Sequence, residues 1–336
     1  MPSPQAPTDT GPGEGTQRPS LDIVIVNFRS TPLVLRCLQS IARHPPAGVT
    51  LTAIRIEDNS PAESDWSGLS DLTLPVILSG SGGNAGFGQA CNRAAAASVA
   101  DLLLFLNPDT EILAGTLDRA AAALLAPVAP RRGAVGVQLL DAAGRVQRTC
   151  SVFPTPSMML AQALGLHRLG LRAAQPFMAD WDHGDSRPVD QVMGAFLLMR
   201  RRDFQTIGGF DRRYFLYYED LDLCRRLRAA GLTVQFLATA QALHLGGGSS
   251  RTAVDLRLTQ WLRSRVLYCR RWFGLPAALA VLLLSAVAEP PLRLGQALAT
   301  GDDVAAVLRG IAGYWRGLPA LTARILRRTE APSPDS

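Results

Sequence analysis

Four polar clusters early in the chain have residue types that bind or transfer charged groups: Asn27, Asp58-Asn59, the glycine-rich stretch Gly80–Gly88 with Asn84, and Asn107-Pro108-Asp109. Each directly follows a short apolar run. Asp109, after an apolar run and a proline, suits Mg²⁺ or Mn²⁺, hard cations that take oxygen ligands and often share them with a diphosphate. Capping a helix over Glu111–Leu125 is its alternative use. His244, one of four histidines, stands between another apolar run and three glycines, where backbone can approach a phosphate. A loop histidine held by its own hydrogen bonds is the alternative. Asp58 and Asn59 could meet a nucleobase edge or a ribose hydroxyl, or form an Asx turn before Pro61. Glu219, Asp220 and Asp222 share the first turn of an expected helix whose later turns hold Arg225, Arg226 and Arg228. That distribution suits the helix dipole, which accounts for at least one of the three acids.

The elements that must position these residues follow from the apolar pattern. Leu21–Val26, Thr50–Ile56, Val76–Leu78 and Leu102–Leu106 are short, continuous apolar or β-branched runs, the signature of strands buried on both faces. Helical periodicity falls between them, at Leu33–Ala42 and Gln89–Ala100. The alternation predicts an α/β fold with a mostly parallel sheet, and such sheets bind ligands beyond the carboxyl ends of their strands. Asn27, Asp58, Asn84 and Asp109 all fall at such ends. Further on, Asp190–Arg200 contains a strand interrupted by Gly194-Ala195, Glu219–Ala230 a helix, and Val234–Leu237 a strand leading to His244.

Composition excludes several chemistries. All 34 basic residues are arginine. A phosphate loop ending in GK[ST], a Schiff-base lysine and pyridoxal catalysis therefore have no amine to use. Gly80–Ala85 formally matches G-x-G-x-x-A, but it follows the third strand, not the first of a βαβ unit, and Asp101 precedes the next strand instead of ending it. A nicotinamide dehydrogenase therefore has little support. Five scattered cysteines with no CxxC pair indicate buried thiols in a reducing compartment. Residues 1–20 lack an apolar signal segment and are expected to be a disordered tail, as are 330–336; a cytoplasmic location follows.

Taken in order, VIVNF (24–28), EDNS (57–60), NAGFGQACN (84–92), FLNPD (105–109), Gly194-Ala195, IGGFD (207–211), FLYYEDLDLCR (215–225) and HLGGGS (244–249) resemble the family 2 glycosyltransferases. The nearest branch is similar to bacterial rhamnosyltransferases of cell-wall and O-antigen assembly. The resemblance spans residues 21–250. It implies a GT-A fold (Rossmann-like, with a mostly parallel mixed sheet flanked by helices), a dTDP- or UDP-linked sugar donor, a divalent metal and inversion at the anomeric carbon. By position it assigns Asp58 to the base, and Asn84 and Asn92 to the nucleotide pocket, with Asn27, Gly86, Phe87 and Asn107 beside them. Asp109 matches the metal-binding acid and His244 a second ligand or diphosphate contact. Asp220 matches the general base, Glu219 is the second choice, and Asp222 is expected to cap or pair within its helix. Asn107 departs from the family's paired-acid pattern, leaving a neutral first ligand. A catalytically inactive homologue that binds nucleotide-sugar or lipid-linked glycan is the competing reading, and the intact Asp109, Asp220 and His244 argue against it.

Residues 251–329 carry the basic excess. Residues 251–336 hold twelve arginines against six acids, while the rest of the chain is balanced. Residues 251–273 have an apolar face with Trp261, Trp272 and Phe273, and arginines off it, although Arg265 falls on the apolar side. Trp272–Ala288 is uncharged and at the short limit for crossing a bilayer. A helical, basic region embedded in the surface of the inner membrane is expected, beside a glycan or polyprenyl-diphosphate-linked acceptor. No nucleic-acid-binding motif accompanies the arginines.

Overall fold

The computed structural model describes residues 18–80, 82–166, 177–178, 180–246 and 254–327. Residues 1–17 of the tail expected at 1–20, the tail expected at 330–336, and Gly247–Ser249 of the HLGGGS motif lie outside the described residues; Ser20, expected in the tail, instead opens the first strand.

The four apolar runs become β1 (Ser20–Asn27), β2 (Thr50–Asp58), β3 (Val76–Gly80) and β4 (Leu102–Leu106), all parallel, in the order β3-β2-β1-β4. Helix α1 (Thr31–Arg43) links β1 to β2, and α2 (Phe87–Ala96) links β3 to β4. Alternate residues of β1 and β4 enter opposite cores. Ile23, Ile25 and Leu104 pack with Val34, Leu38 and Ile41 of α1, whereas Val24, Leu103 and Phe105 pack with Ala90, Cys91 and Ala94 of α2. Burial on both faces explains why β1 and β4 have no polar alternation; β3, expected to be buried likewise, is instead an edge strand with Ile77 and Leu78 exposed.

Beyond β4 the chain departs from the simple alternation. Thr110–Ile112 is a strand, β5, and the following helix α3 starts only at Thr116 and ends at Leu125. Asp109 is therefore not the cap of a helix over Glu111–Leu125. Thr110 and Ile112 face inward while Glu111 is half-buried, a period-two pattern that suits a strand. Strand β6 (Arg132–Leu140) was not legible, because Gly133 and Gly136 interrupt its apolar run. Helix α4 (Pro156–Ala163) and β7 (Arg187–Val189) follow, then β8 (Phe196–Arg200), α5 (Arg201–Thr206), α6 (Glu219–Ala229) and β9 (Thr233–His244). The sheet extends as β4-β8-β6-β9-β5, with β8 antiparallel to both β4 and β6, β5 antiparallel to β9, and β7 also pairing β9.

The C-terminal segment forms α7 (Val254–Val287), α8 (Glu289–Thr300) and α9 (Val304–Leu326). By length and hydropathy Asp255–Val287 could cross a membrane. It is not one rod: Gly274 has φ 84° and ψ −176°, and the chain folds back there as a hairpin. Arg265 of the first limb consequently meets Ser285 of the second (2.5 Å) and Glu289 of α8. The second limb, residues 275–287, rises about 20 Å at 1.5 Å per residue, short of the roughly 30 Å apolar thickness of a bilayer. The hairpin's inner face packs with α9 and α4 in a third core that holds Tyr214, Tyr268, Val281 and Tyr314.

Arg265, anomalous in the sequence, is fully buried. Its charge is met by Glu289, and its guanidinium lies 4.5 Å from the Trp261 ring centroid. A buried charge that loses its partner costs about 3–5 kcal/mol. Glu289→Ala should lower unfolding free energy by that order in chemical denaturation. Arg265→Met combined with Glu289→Leu should be much milder; equal losses would show that packing, not charge, governs the hairpin.

Candidate active site

The parallel register brings Asn27 opposite Asp58, and Asp58 opposite Gly80, on one rim of the sheet. Asn27 is fully buried and its amide is wholly engaged. Its Nδ2 donates to Asp58 Oδ1 and Ser64 Oγ, both at 2.9 Å, and its Oδ1 accepts from Ser30. Asp58 also accepts from the Ser60 N–H (2.9 Å), which makes the Asx turn, and from Trp66 Nε1 at 3.0 Å. Burial pushes the Asp58 carboxyl up, but donors from Ser60, Ser64, Asn27 and Trp66 outweigh it and hold the group below the usual range. These two residues shape the rim from within.

Asn84 accepts the Gly86 N–H at 2.9 Å, and Asn59 donates to the Gly86 carbonyl at 3.3 Å. Gly86 has φ 83°, and a Cβ there would fall 2.1 Å from the Phe215 carbonyl oxygen. No other residue type fits this crossing. The Phe87 N–H donates to that same oxygen at 3.0 Å, so the start of α2 is pinned to the loop before α6. Asn92 clamps the backbone of Phe210 from both sides, donating at 2.7 Å and accepting at 2.8 Å. Its amide positions the IGGFD turn.

Asp109 and His244 do come together. Thr110 of β5 pairs with His244 of β9, and His244 Nε2 lies 3.5 Å from Asp109 Oδ1. His244 Nδ1 contacts Gln147 Oε1 at 2.9 Å, while Gln147 Nε2 donates to the His244 carbonyl at 2.7 Å. This two-point contact puts the imidazole proton on Nδ1 and leaves the Nε2 lone pair facing Asp109. Burial lowers the His244 pKa and the Asp109 charge opposes that change. Among the described residues, no group of three or more His, Cys, Asp or Glu side chains gathers as a self-sufficient metal cage. A metal here needs ligand oxygens from its substrate.

The three acids of α6 have three different surroundings. Asp222 is fully buried and accepts from Arg226 (2.8 Å) and from Trp272 Nε1 (2.9 Å), with Arg271 at 2.8 Å. It pairs within its helix as expected and also ties α6 to α7. Glu219 is buried, with Oε2 lacking a hydrogen-bond partner, and it packs behind α2 near Gly88. Burial, then the neighbouring Asp220 charge, raises its pKa to about 8. Asp220 alone faces a cavity of about 430 Å³ lined also by Gln191, Met193, Tyr217, Tyr218 and Trp261. Its Oδ2 accepts from the Gly194 N–H and from Gln191 Nε2, both at 3.0 Å. Burial raises its pKa against those donors and the Leu221 N–H.

Gln147, Gln191 and Trp261 were not picked out in the sequence. Glutamines in apolar surroundings carry no distinctive pattern, and Trp261 looked like one of several aromatics on an amphipathic helix. Arg257 Nε donates to Tyr217 Oη at 2.9 Å, so α7 forms part of the cavity wall. All five cysteines are buried free thiols, as their scatter implied.

The Glu219 environment makes stability depend on pH. The unfolded carboxyl ionises near 4.5 and the folded one near 8, so the contribution of the neutral buried acid is complete below pH 4.5 and fades as pH rises to 8. Glu219→Gln should therefore raise the urea midpoint progressively between pH 5 and 8, relative to the unsubstituted protein. A pH-independent difference would mean that Glu219 is ionised in the fold.

Residues 19–265 match the family model described as glycosyltransferase like family 2. The chain is 32% identical over 250 residues to N-acetylglucosaminyl-diphospho-decaprenol L-rhamnosyltransferase of Mycobacterium tuberculosis, covering 67% of this chain and 75% of that protein. A shorter similarity, 36% over 83 residues, links it to rhamnosyltransferase WbbL of Escherichia coli K12, covering 25% of this chain and 31% of WbbL. In three dimensions it superposes on mannosyltransferase PcManGT of Pyrobaculum calidifontis, solved with GDP-Man and Mn²⁺, with a TM-score of 0.51 at 16% identity over 93% of this chain and 86% of that one. That likeness concerns the fold, which is GT-A as expected. With a family match over most of its length and bacterial rhamnosyltransferases among its relatives, the chain belongs to the family 2 glycosyltransferases.

Proposed function

We propose that the chain is an inverting transferase whose donor is dTDP-L-rhamnose, with UDP-linked sugars second, and whose acceptor is a hydroxyl of a cell-envelope glycan or polyprenyl-diphosphate-linked saccharide. One observation carries the reading: of the three acids at the start of α6, only Asp220 opens onto the cavity. Its orientation is held by Gly194 and Gln191, and its raised pKa strengthens it as a base. The acceptor oxygen attacks the anomeric carbon, the bond from that carbon to the diphosphate breaks, and its electron pair leaves with the nucleoside diphosphate. Asp220 takes the hydroxyl proton. No lysine and no reactive thiol is needed, in keeping with the composition.

Asp109 and the unprotonated Nε2 of His244 fit a divalent cation that shares its remaining ligands with a diphosphate, and Mg²⁺ or Mn²⁺ suits that donor set. Such an ion would supply positive charge against the leaving diphosphate. Asn107 lies beside this pair as a neutral residue. Gly86, Phe87 and Asn84 form the donor-side wall at the start of α2, with the Asn27–Asp58 pair fixing the strand ends beneath it. Glu219 has no base role in this reading, because it faces the core. The enzyme would work on the cytoplasmic face of the inner membrane. Leu283, Val287 and Leu298, which are 61%, 66% and 72% exposed, form an apolar outer surface that supports surface attachment by the C-terminal helices.

Two outcomes follow. Asp220→Asn should slow transfer by about 10²–10⁴-fold while leaving calorimetric binding of the donor nucleotide nearly unchanged; a full-rate variant would remove Asp220 from the base role. Asp109→Ala should abolish Mn²⁺-dependent binding of dTDP or UDP in the same calorimeter. Persistence of that metal dependence would move the cation elsewhere.

A further inference from the structure

A second cavity, of about 360 Å³, opens where Gln89 of α2, the loop at Arg212–Phe215, α7 and α9 meet. It shares no lining residue with the cavity at Asp220. Four arginines line it: Arg212 and Arg213 from the loop, Arg263 from α7 and Arg324 from α9. Gln89, Gln260 and Ser264 complete the polar wall. The nearest acid, Asp211, is already shared between Arg213 (2.5 Å) and Arg271 (2.9 Å). Among the described residues, the guanidinium groups of Arg212, Arg263 and Arg324 have no hydrogen bond or ion pair.

Free arginines ordinarily spread into solvent. Here four line one cavity despite their mutual repulsion, Arg213 and Arg263 half-buried and Arg212 and Arg324 more exposed. Burial above all lowers the Arg324 pKa; the Arg213 charge adds to this, Asp211 opposes it, and Arg263 contributes less. A guanidinium is a planar fork that binds carboxylate or phosphate oxygens two at a time. Three uncompensated positive charges are better matched by a doubly charged group than by a single carboxylate.

We propose that this pocket is a phosphate-binding site for a doubly charged group, a phosphomonoester or a diphosphate, separate from the donor and acceptor sites. The site does not depend on the reaction assigned above. Its ligand comes either from a lipid headgroup, since α7 and α9 belong to the apolar C-terminal surface, or from a soluble phosphate.

The test uses the full chain and the double variant Arg263→Gln with Arg324→Gln. Calorimetry with inorganic pyrophosphate in EDTA should show binding that weakens by about tenfold or more in the double variant. The corresponding Arg263→Lys single variant, which keeps the charge, should bind close to the unsubstituted level. Binding of dTDP or UDP with Mn²⁺ should be unaffected in the double variant, which separates loss of this site from loss of the fold or of the donor site. Flotation with phosphatidylcholine vesicles containing phosphatidic acid, against vesicles containing phosphatidylglycerol, distinguishes the sources. A preference for phosphatidic acid that the double variant loses identifies a lipid headgroup; pyrophosphate binding without that preference identifies a soluble phosphate. Pyrophosphate and vesicle binding that are both unchanged in the double variant, or absent from a protein that still binds donor nucleotide, overturn the site.

Discussion

The chemistry hangs on the dipeptide Gly194-Ala195. Because β8 runs antiparallel to β4, its amino end meets the carboxyl end of β4, where the Asn107-Pro108-Asp109 turn begins. The buried Ala195 carbonyl accepts the Asn107 N–H at 3.1 Å and the Thr110 hydroxyl at 3.3 Å. One residue earlier, the Gly194 N–H donates to Asp220 at 3.0 Å. A single stretch of backbone thus fixes the turn that carries Asp109 and the carboxylate that faces the cavity. Neither acid can shift far without breaking a buried hydrogen bond, which costs about 1–3 kcal/mol. The antiparallel insertion of β8 between β4 and β6 is what makes this link possible.

A second set of buried polar ties joins the catalytic sheet to the C-terminal helices. Asp222, two residues beyond Asp220, meets Trp272 and Arg271 of α7, and Arg225 stacks 4.4 Å from the Trp272 ring centroid. Ser264 donates to the Leu216 carbonyl at 2.8 Å. The hairpin made by α7 is therefore held against the loop that shapes both cavities, and Trp261 and Arg263 line one each. The same helices that present exposed leucines outward build the wall of the Asp220 cavity inward. Local strain is concentrated in this loop, where Tyr217 and Tyr218 adopt positive φ of 67° and 71° just before α6.

Strands β1, β2 and β4 were legible because burial on both faces leaves a continuous apolar run, and their polar ends followed directly. The helix α6 was legible from its acids and arginines. Strand β5 was misread as helix because three residues offer too short a pattern, and β6 was hidden by its glycines. Among the candidate site residues, the strand-end Asp109 and His244 lie side by side, and Asp220, at the start of α6, faces a cavity. Asparagine was a poor one. Asn27 and Asn92 have the same two-sided amide whether it meets a ligand or clamps backbone, and the structure uses both internally. The resemblance ranked Asp220 above Glu219, and the helix supplies a physical reason: one residue along it turns the side chain by about 100°, here from the cavity into the core.

A single carboxylate facing the cavity, with no second nucleophile assigned to the sugar, corresponds to the one-step displacement proposed above. The anomeric configuration of the product, determined by NMR after transfer from a nucleotide-sugar of known configuration, tests that claim most directly. A one-step displacement gives complete inversion. A product that retains the donor's configuration would contradict it, since retention requires a covalent or front-face route in which Asp220 is not simply the base.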